Sequence, residues 1–185
     1  VVKLTAGFLP PSSRACADVA RRRWVQMVTA QLCMAGMPAW ALDKPQGPVV
    51  LSVIGRVRRA NRDLRADFDM PMLEALPQQT LNTRTPWYAQ ARRFTGPLLR
   101  DVLSAAGAYG TTLRLVALND YRVDMPHDDA QRHDVLVARL LDGQTLSVRD
   151  KGPLLVIYPF DSRPELRSAV YYSRSAWQLR TIEVL

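Results

Sequence analysis

Cysteine is nearly missing from this chain. Of 185 residues only Cys16 and Cys33 are cysteines, so from residue 34 onward there is no disulfide, no thiolate nucleophile and no soft sulfur ligand for a metal. Glycine is sparse too. The 9 glycines never form G-x-G-x-x-G, a P-loop or a nucleophile elbow, which removes phosphate cradles of backbone N–H groups and the serine-hydrolase turn. No apolar run reaches the length of a membrane-spanning helix. Aromatics make up 8% and do not interleave with cations as on an RNA-binding sheet, so nucleic acid is not an expected partner.

What is present is a folding-competent composition: 48% hydrophobic, 23% charged and a formal net charge of +8. One ordinary domain fits that length. The charge is uneven. Five of the 25 basic residues (Lys3, Arg14, Arg21, Arg22 and Arg23) lie in the first 41 positions beside one acid, Asp18, so the remainder carries 20 bases against 16 acids. Arg21-Arg22-Arg23 is a positive n-region, residues 24–36 are a short apolar stretch interrupted by Gln26, Thr29 and Gln31, and Ala39-Trp40-Ala41 is a small-x-small cleavage site. Residues 1–41 therefore read as an export signal cleaved near Ala41, with a periplasmic or secreted product and no integral membrane segment after cleavage. Residues 1–20 resemble neither signal nor domain, which places the expected start codon downstream. Arg21-Arg22-Arg23-Trp24-Val25 fits both a Sec and a twin-arginine signal. Ala30-Gln31-Leu32 before Cys33 is a poor lipoprotein box.

A linker over 42–47 leads into a domain over 48–185. Residues 49–55 read as a β-branched strand closed by Gly55, and 61–67 as a charged loop. Asp69 can cap a short helix over 70–76 that Pro77 stops. An extended segment over 78–85 runs into Pro86-Trp87. Gly96-Pro97 is expected to open a second helix with the apolar face Leu98, Leu99, Val102, Leu103 and Ala106, and Gly107 to close it. Strands are expected over 112–118, 121–125, 134–140, 154–158 and 177–184, with a hairpin turn at Asp142-Gly143 leading into 145–148. The total is about seven short strands and two or three short helices, an α+β, mainly β domain.

Five segments occur in a recognisable order: Thr83-Arg84-Thr85-Pro86-Trp87, Phe94-Thr95-Gly96-Pro97-Leu98-Leu99, Leu118-Asn119-Asp120-Tyr121, Asp150-Lys151-Gly152-Pro153-Leu154, and Trp177-Gln178-Leu179-Arg180-Thr181-Ile182-Glu183-Val184. Together they resemble the molybdopterin-binding oxidoreductase domain of the sulfite-oxidase family, in particular its small exported bacterial members. The resemblance implies a single-domain sulfite-oxidase-type fold, a cleft for a molybdenum–pterin cofactor (molybdopterin), and oxygen-atom or electron transfer. In the family one cysteine binds the molybdenum. Here the corresponding stretch is Thr80-Leu81-Asn82-Thr83-Arg84-Thr85, and the equivalent position, among Asn82, Thr83 and Arg84, is assigned to Thr83. A hydroxyl poorly replaces a soft anionic sulfur. A family lysine that helps hold the cofactor's phosphate corresponds to Ala176, so Arg149, Lys151 and Arg174 are the substitutes, since phosphate binding needs convergent donors.

The resulting candidates for cofactor contact are Thr83, Arg84, Trp87, Asp120, Tyr121, Arg149, Lys151, Tyr172 and Arg174, with no metal ligand and no catalytic group assigned. Several have plainer readings. Asn119-Asp120-Tyr121 is a turn in its own right. Arg149-Asp150-Lys151 is either a phosphate-facing cluster or an exposed mixed-charge turn. Trp87 suits a core. Tyr171 and Tyr172, if on a strand, point to opposite faces, so one at most enters a cleft. His127 and His133 read as surface loop residues. Two functional expectations follow: an exported oxidoreductase-like domain that binds molybdopterin without a protein thiolate, or a non-catalytic periplasmic ligand- or partner-binding module that keeps fold and cleft; the expected cofactor is molybdopterin or none. The expected partners are an anionic small molecule or a pterin, and a periplasmic protein.

Overall fold

The computed structural model describes residues 42–185; the expected signal and both cysteines lie outside the described residues. In chain order the elements are β1 (Val49–Gly55), β2 (Ala66–Asp69), α1 (Met70–Ala75), β3 (Gln78–Thr85), β4 (Tyr88–Pro97), α2 (Leu99–Ala106), β5 (Thr112–Ala117), β6 (Arg122–Pro126), α3 (His127–Arg132), β7 (Leu136–Ala138), β8 (Leu140–Leu141), β9 (Gln144–Thr145), a 3-10 turn at Val148–Asp150, β10 (Leu155–Ile157), a second 3-10 turn at Pro164–Leu166, α4 (Ala169–Arg174) and β11 (Leu179–Val184). The expected class, α+β and mainly β, is what these elements make.

Three sheets form. The largest has the order β2-β1-β11-β5-β6, with β1 and β11 parallel and every other pairing antiparallel. A second has the order β3-β4-β8-β9, and β10 pairs with β7. The parallel pair explains why a strand at the end of the sequence sits beside the first: Val53 is opposite Ile182, and both are fully buried. β7 and β10 are buried along their whole length, so they read as unbroken apolar runs rather than alternating ones. Leu99, Val102, Leu103 and Ala106 put the apolar face of α2 into the same core, together with Leu51, Leu113, Leu115 and Phe68. Each such large side chain contributes about 1.5–3 kcal/mol on burial.

Local chemistry sets the element ends. Asp69 caps α1, its carboxylate accepting from Met72 N at 3.0 Å. The same carboxylate accepts from Gln46 N at 2.8 Å and Gly47 N at 2.9 Å, tying down the chain just before β1. These backbone donors hold the Asp69 carboxyl below the usual carboxylate range. The stabilisation is therefore complete above the unfolded value near 3.9 and is lost as pH falls through the lower folded value. Replacing Asp69 with Ala should lower the melting midpoint by several degrees at neutral pH, with the gap to wild type closing below about pH 4; thermal melts at several pH values check this.

The structure corrects several sequence expectations. Pro97 does not open the second helix but ends β4, opposite Gln78, and α2 starts at Leu99. The neighbouring Gly96 explains the extension: a Cβ there would lie 2.0 Å from Val137 O, so β4 lies hard against β7 and the strand continues through the proline. β4 itself was not expected, because Tyr88-Ala89-Gln90-Ala91-Arg92-Arg93 shows no apolar alternation and none of its residues is buried. The segment expected as one strand over 134–140 pairs as β7 only from Leu136, and of the strand expected over 145–148 only Thr145 pairs, in β9, while Val148 opens a 3-10 turn. His127 and His133 belong to a short helix and its cap, not to a loop; His127 Nδ1 lies 2.7 Å from Gly110 O. Tyr171 and Tyr172 sit on α4, so the opposite-face argument for a strand does not apply.

Candidate functional site

At the end of the large sheet where β5 turns into β6 and β11 begins, a cavity of ≈ 510 Å³ opens between four loops. Its walls include Trp87 from the β3–β4 turn, Asn119 and Tyr121 from the β5–β6 turn, and Arg149 and Lys151 from the 3-10 turn. Tyr172, Ser173 and Ser175 come from α4 and its end, with Trp177 and Gln178 just before β11.

Backbone and side-chain bonds fix these loops to one another. Ser147 caps the 3-10 turn, donating to Asp150 Oδ2 at 2.7 Å while its oxygen accepts from Asp150 N at 3.2 Å. The turn ends with Lys151 in the left-handed region, φ 74. Gly152 follows, where a Cβ would meet Leu146 O at 2.2 Å, so only glycine fits beneath the lysine. Lys151 O accepts from Gln178 N at 2.9 Å, and Gln178 Nε2 donates to Val148 O at 2.8 Å. Gln178 O in turn accepts from Leu118 N at 2.9 Å, joining the β5–β6 turn to the same assembly. Across the opening, Tyr121 OH donates to Ser173 O at 3.1 Å.

The walls are aromatic and cationic. Trp87 meets Trp177 edge to face at 5.4 Å between ring centroids and Tyr172 at 6.1 Å. Lys151 Nζ stands 4.8 Å from the Trp177 ring centroid and 4.9 Å from that of Tyr88, a lysine clamped between two π faces. Burial raises the Tyr88 phenol, opposed by Arg92 and reinforced by Asp150 and Asp142, so the ring facing Lys151 stays neutral at physiological pH. Neither Arg149 nor Lys151 has an ion-pair partner among the described residues. Two cations without carboxylate partners at an aromatic-walled cavity suit a flat, anionic ligand.

The remaining sequence candidates lie elsewhere. Thr83 is fully buried and its hydroxyl oxygen accepts from Asp161 N at 3.1 Å, while the hydroxyl reaches Arg84 O at 3.4 Å. Arg84 is exposed, and its N–H donates to Asp161 Oδ2 at 2.9 Å. Asp120, at φ 62, turns outward to Arg180 at 3.3 Å. Arg174 points into a buried network: its guanidinium meets Asp129 Oδ2 at 2.9 Å, the same oxygen that accepts from Tyr158 OH at 3.0 Å. Burial, then the Asp129 carboxylate, push the Tyr158 phenol far up, so it remains a donor at every pH at which the fold persists. This network anchors α4, whose other side brings Tyr172 and Ser173 to the cavity.

Sequence reasoning did not select Tyr88, Trp177, Gln178, Asn119, Ser173 or Ser175. Trp177 carried a usable signal, since it follows Ala176, which the family resemblance had already singled out, and it is 38% exposed. Tyr88 carried none, because it lies on the strand that sequence patterning did not show.

A molybdenum–pterin group can be tested against these residues. The aromatic walls and the two cations match a flat heterocycle with a phosphate. Among the described residues a bond from protein to metal is not matched. No group of three or more His, Cys, Asp or Glu residues converges among the described residues, and the Thr83 hydroxyl is committed to hydrogen bonds outside the cavity lining.

No family model matches the sequence, and no curated protein matches it. Among solved structures, the chain is similar to the sulfane dehydrogenase SoxCD from Paracoccus pantotrophus, with a TM-score of 0.54 and 14% sequence identity over 78% of this chain. That similarity covers 40% of the other chain, so this one spans about two fifths of its length. At that identity the likeness is one of fold alone.

Proposed function

We propose that this chain is an exported, sulfite-oxidase-like binding domain whose cavity takes a flat, phosphate-bearing heterocycle of the molybdopterin class and makes no bond to its metal. The observation that carries this reading is the pairing of Trp87, Tyr172 and Trp177 with Arg149 and Lys151 around one cavity. When bound, such a cofactor supplies oxygen-atom or electron transfer. The protein's part is recognition: the indole and phenol rings stack on the heterocycle, Arg149 and Lys151 neutralise the phosphate, and Asn119, Ser173, Ser175 and Gln178 offer polar contacts around it. Arg149 can engage phosphate with two parallel N–H donors, whereas Lys151 acts as a point charge.

Export places the domain in the periplasm or outside the cell after removal of residues 1–41, and a periplasmic protein partner completes the proposal. The dehydrogenase activity in the neighbour's name leaves a redox role as a second reading, favoured by the ordered sequence resemblance. The buried, hydrogen-bonded Thr83 favours binding without turnover.

Tryptophan fluorescence tests the first reading, because Trp87 and Trp177 both line the cavity. Titration with a phosphorylated pterin should quench emission saturably, and the same pterin without phosphate should bind roughly tenfold more weakly or worse. Equal affinity for the two would remove the role given to the cations.

A further inference from the structure

The charge that survives removal of residues 1–41 has an address. Residues 42–185 contain 20 basic and 16 acidic side chains; residues 56–65 alone contain five arginines and one acid, Asp63, so the remaining fifteen of each sign cancel. The entire net excess of the described domain lies in ten residues joining β1 to β2.

That segment is built rather than loose. Arg58 N donates to Gly107 O at 3.1 Å, and Arg59 N donates to Ala106 O at 3.0 Å, fastening its first half to the end of α2. Asn61 fastens the second half, donating to Asp67 O at 2.8 Å and to Asp43 O at 2.6 Å while accepting from Asp67 N at 2.8 Å. Between them Arg62 and Arg65 pair across a tight turn. The two turn residues are Asp63 at φ 40 and Leu64 at φ 62, a conformation that favours asparagine and glycine. Leu64 is nevertheless the tip residue, and it is 86% exposed. An exposed leucine held in the left-handed region has no packing reason to be there. At the start of the same segment Tyr109 N donates to Arg56 O at 2.9 Å, and the Tyr109 ring, 47% exposed, lies under the Arg58 guanidinium at 4.7 Å.

We propose that this loop docks the protein onto an anionic lipid surface, Leu64 entering the interfacial layer while Arg56, Arg58 and Arg62 meet the headgroup phosphates and Tyr109 lies at the boundary. Cations around an apolar tip with a nearby tyrosine is the composition that the interface favours. An acidic protein or a polyanion would be drawn by the arginines alone and would gain nothing from Leu64, and one leucine on a ten-residue loop is small for a protein interface. The loop lies at the far end of the large sheet from the cavity: β11 starts at Leu179, next to Gln178 at the cavity, and ends at Val184, whose carbonyl accepts from Arg56 N at 3.0 Å. That separation is roughly 20 Å of extended strand, so docking leaves the cavity mouth clear. The inference is independent of what the cavity holds.

Vesicle co-sedimentation of the full chain tests it, with phosphatidylcholine vesicles with and without phosphatidylglycerol. Because residues 1–41 contain their own arginines, every variant is also made with Arg21, Arg22 and Arg23 changed to Ala. In both backgrounds the chain should bind the anionic vesicles and bind less as salt is raised. Arg56→Ser with Arg62→Ser should lower binding by tenfold or more, on the order of the usual contribution of two surface cations. Leu64→Ser should lower it roughly tenfold with an unchanged melting midpoint, and Lys151→Met should bind vesicles like wild type. Unchanged binding of Leu64→Ser would overturn the proposal in favour of a general polyanion site, as would equal binding to the neutral vesicles. Loss of the loop variants' effect in the Arg21–Arg23 background would overturn it in favour of the N-terminal segment.

Discussion

Changing Asp129 to Ala should destabilise the domain by about 3–5 kcal/mol, the cost of removing one partner from a buried ion pair. Asp129 lies on α3 with its side chain nearly covered, and one of its oxygens receives both the Arg174 guanidinium and the Tyr158 hydroxyl. Without it, Arg174 is left without its counter-charge, and the fully buried Tyr158 keeps only a 4.0 Å approach to Met125 Sδ. An unsatisfied buried hydroxyl adds about 1–3 kcal/mol by itself. Asp129→Asn keeps an acceptor for the phenol and loses the charge, so its effect should be smaller. Urea unfolding measures both, and the double variant with Arg174→Met should lose less than the sum of the single changes, because the two share one interaction. The expected effect on binding is separate. Asp129 and Arg174 do not line the cavity, but they pin the helix that carries Tyr172 and Ser173, so Asp129→Asn should weaken ligand binding even where the protein remains folded. Arg174 is thereby a positioning residue rather than a ligand contact.

Removing the charge of Lys151 should weaken binding of a phosphorylated pterin by roughly 10- to 100-fold, the range for one desolvated, charge-assisted contact together with its cation–π support. Lys151→Met keeps the aliphatic stem between the Tyr88 and Trp177 rings and isolates the charge. Lys151→Gly is the complementary variant, since glycine adopts φ 74 without strain and should preserve the turn. A loss of affinity shared by both variants assigns the effect to the ammonium and not to the backbone. Lys151→Arg keeps the positive charge but replaces a compact point charge with a planar fork, and so tests the shape of the contact. Fluorescence titration reads all three variants, and the binding of a pterin without phosphate should be nearly indifferent to them.

Legibility of the fold varied with the kind of signal. β1 could be read to its ends because a β-branched run stops at Gly55, and β3 because Pro77 and Pro86 bound it. α1 was legible through its Asp69 cap and Pro77. β4 was not, since its first six residues are polar or small with none buried, and their pairing with β3 is set by backbone ladders. Pro97 misled for a related reason: a proline at a strand end and a proline at a helix start look alike locally, and the close approach of Gly96 to Val137 decides between them. For the site, the sequence motifs brought Trp87, Tyr121, Arg149, Lys151 and Tyr172 to attention, and the fold places these around one cavity. Arg174 and Asp120 lie within a residue or two of lining residues but face away, a distinction of side-chain direction that motif order does not contain. Tyr88, which clamps Lys151 together with Trp177, becomes visible only once the distant segments are assembled.

As proposed, the cavity holds a phosphorylated pterin without a protein-to-metal bond. Acid release and fluorescence of pterin from protein purified out of a molybdopterin-producing host tests it most directly. Close to one pterin per chain is expected for wild type, falling sharply in Lys151→Met and unchanged in Arg56→Ser with Arg62→Ser. Wild-type protein that is folded, exported and free of pterin would contradict the account.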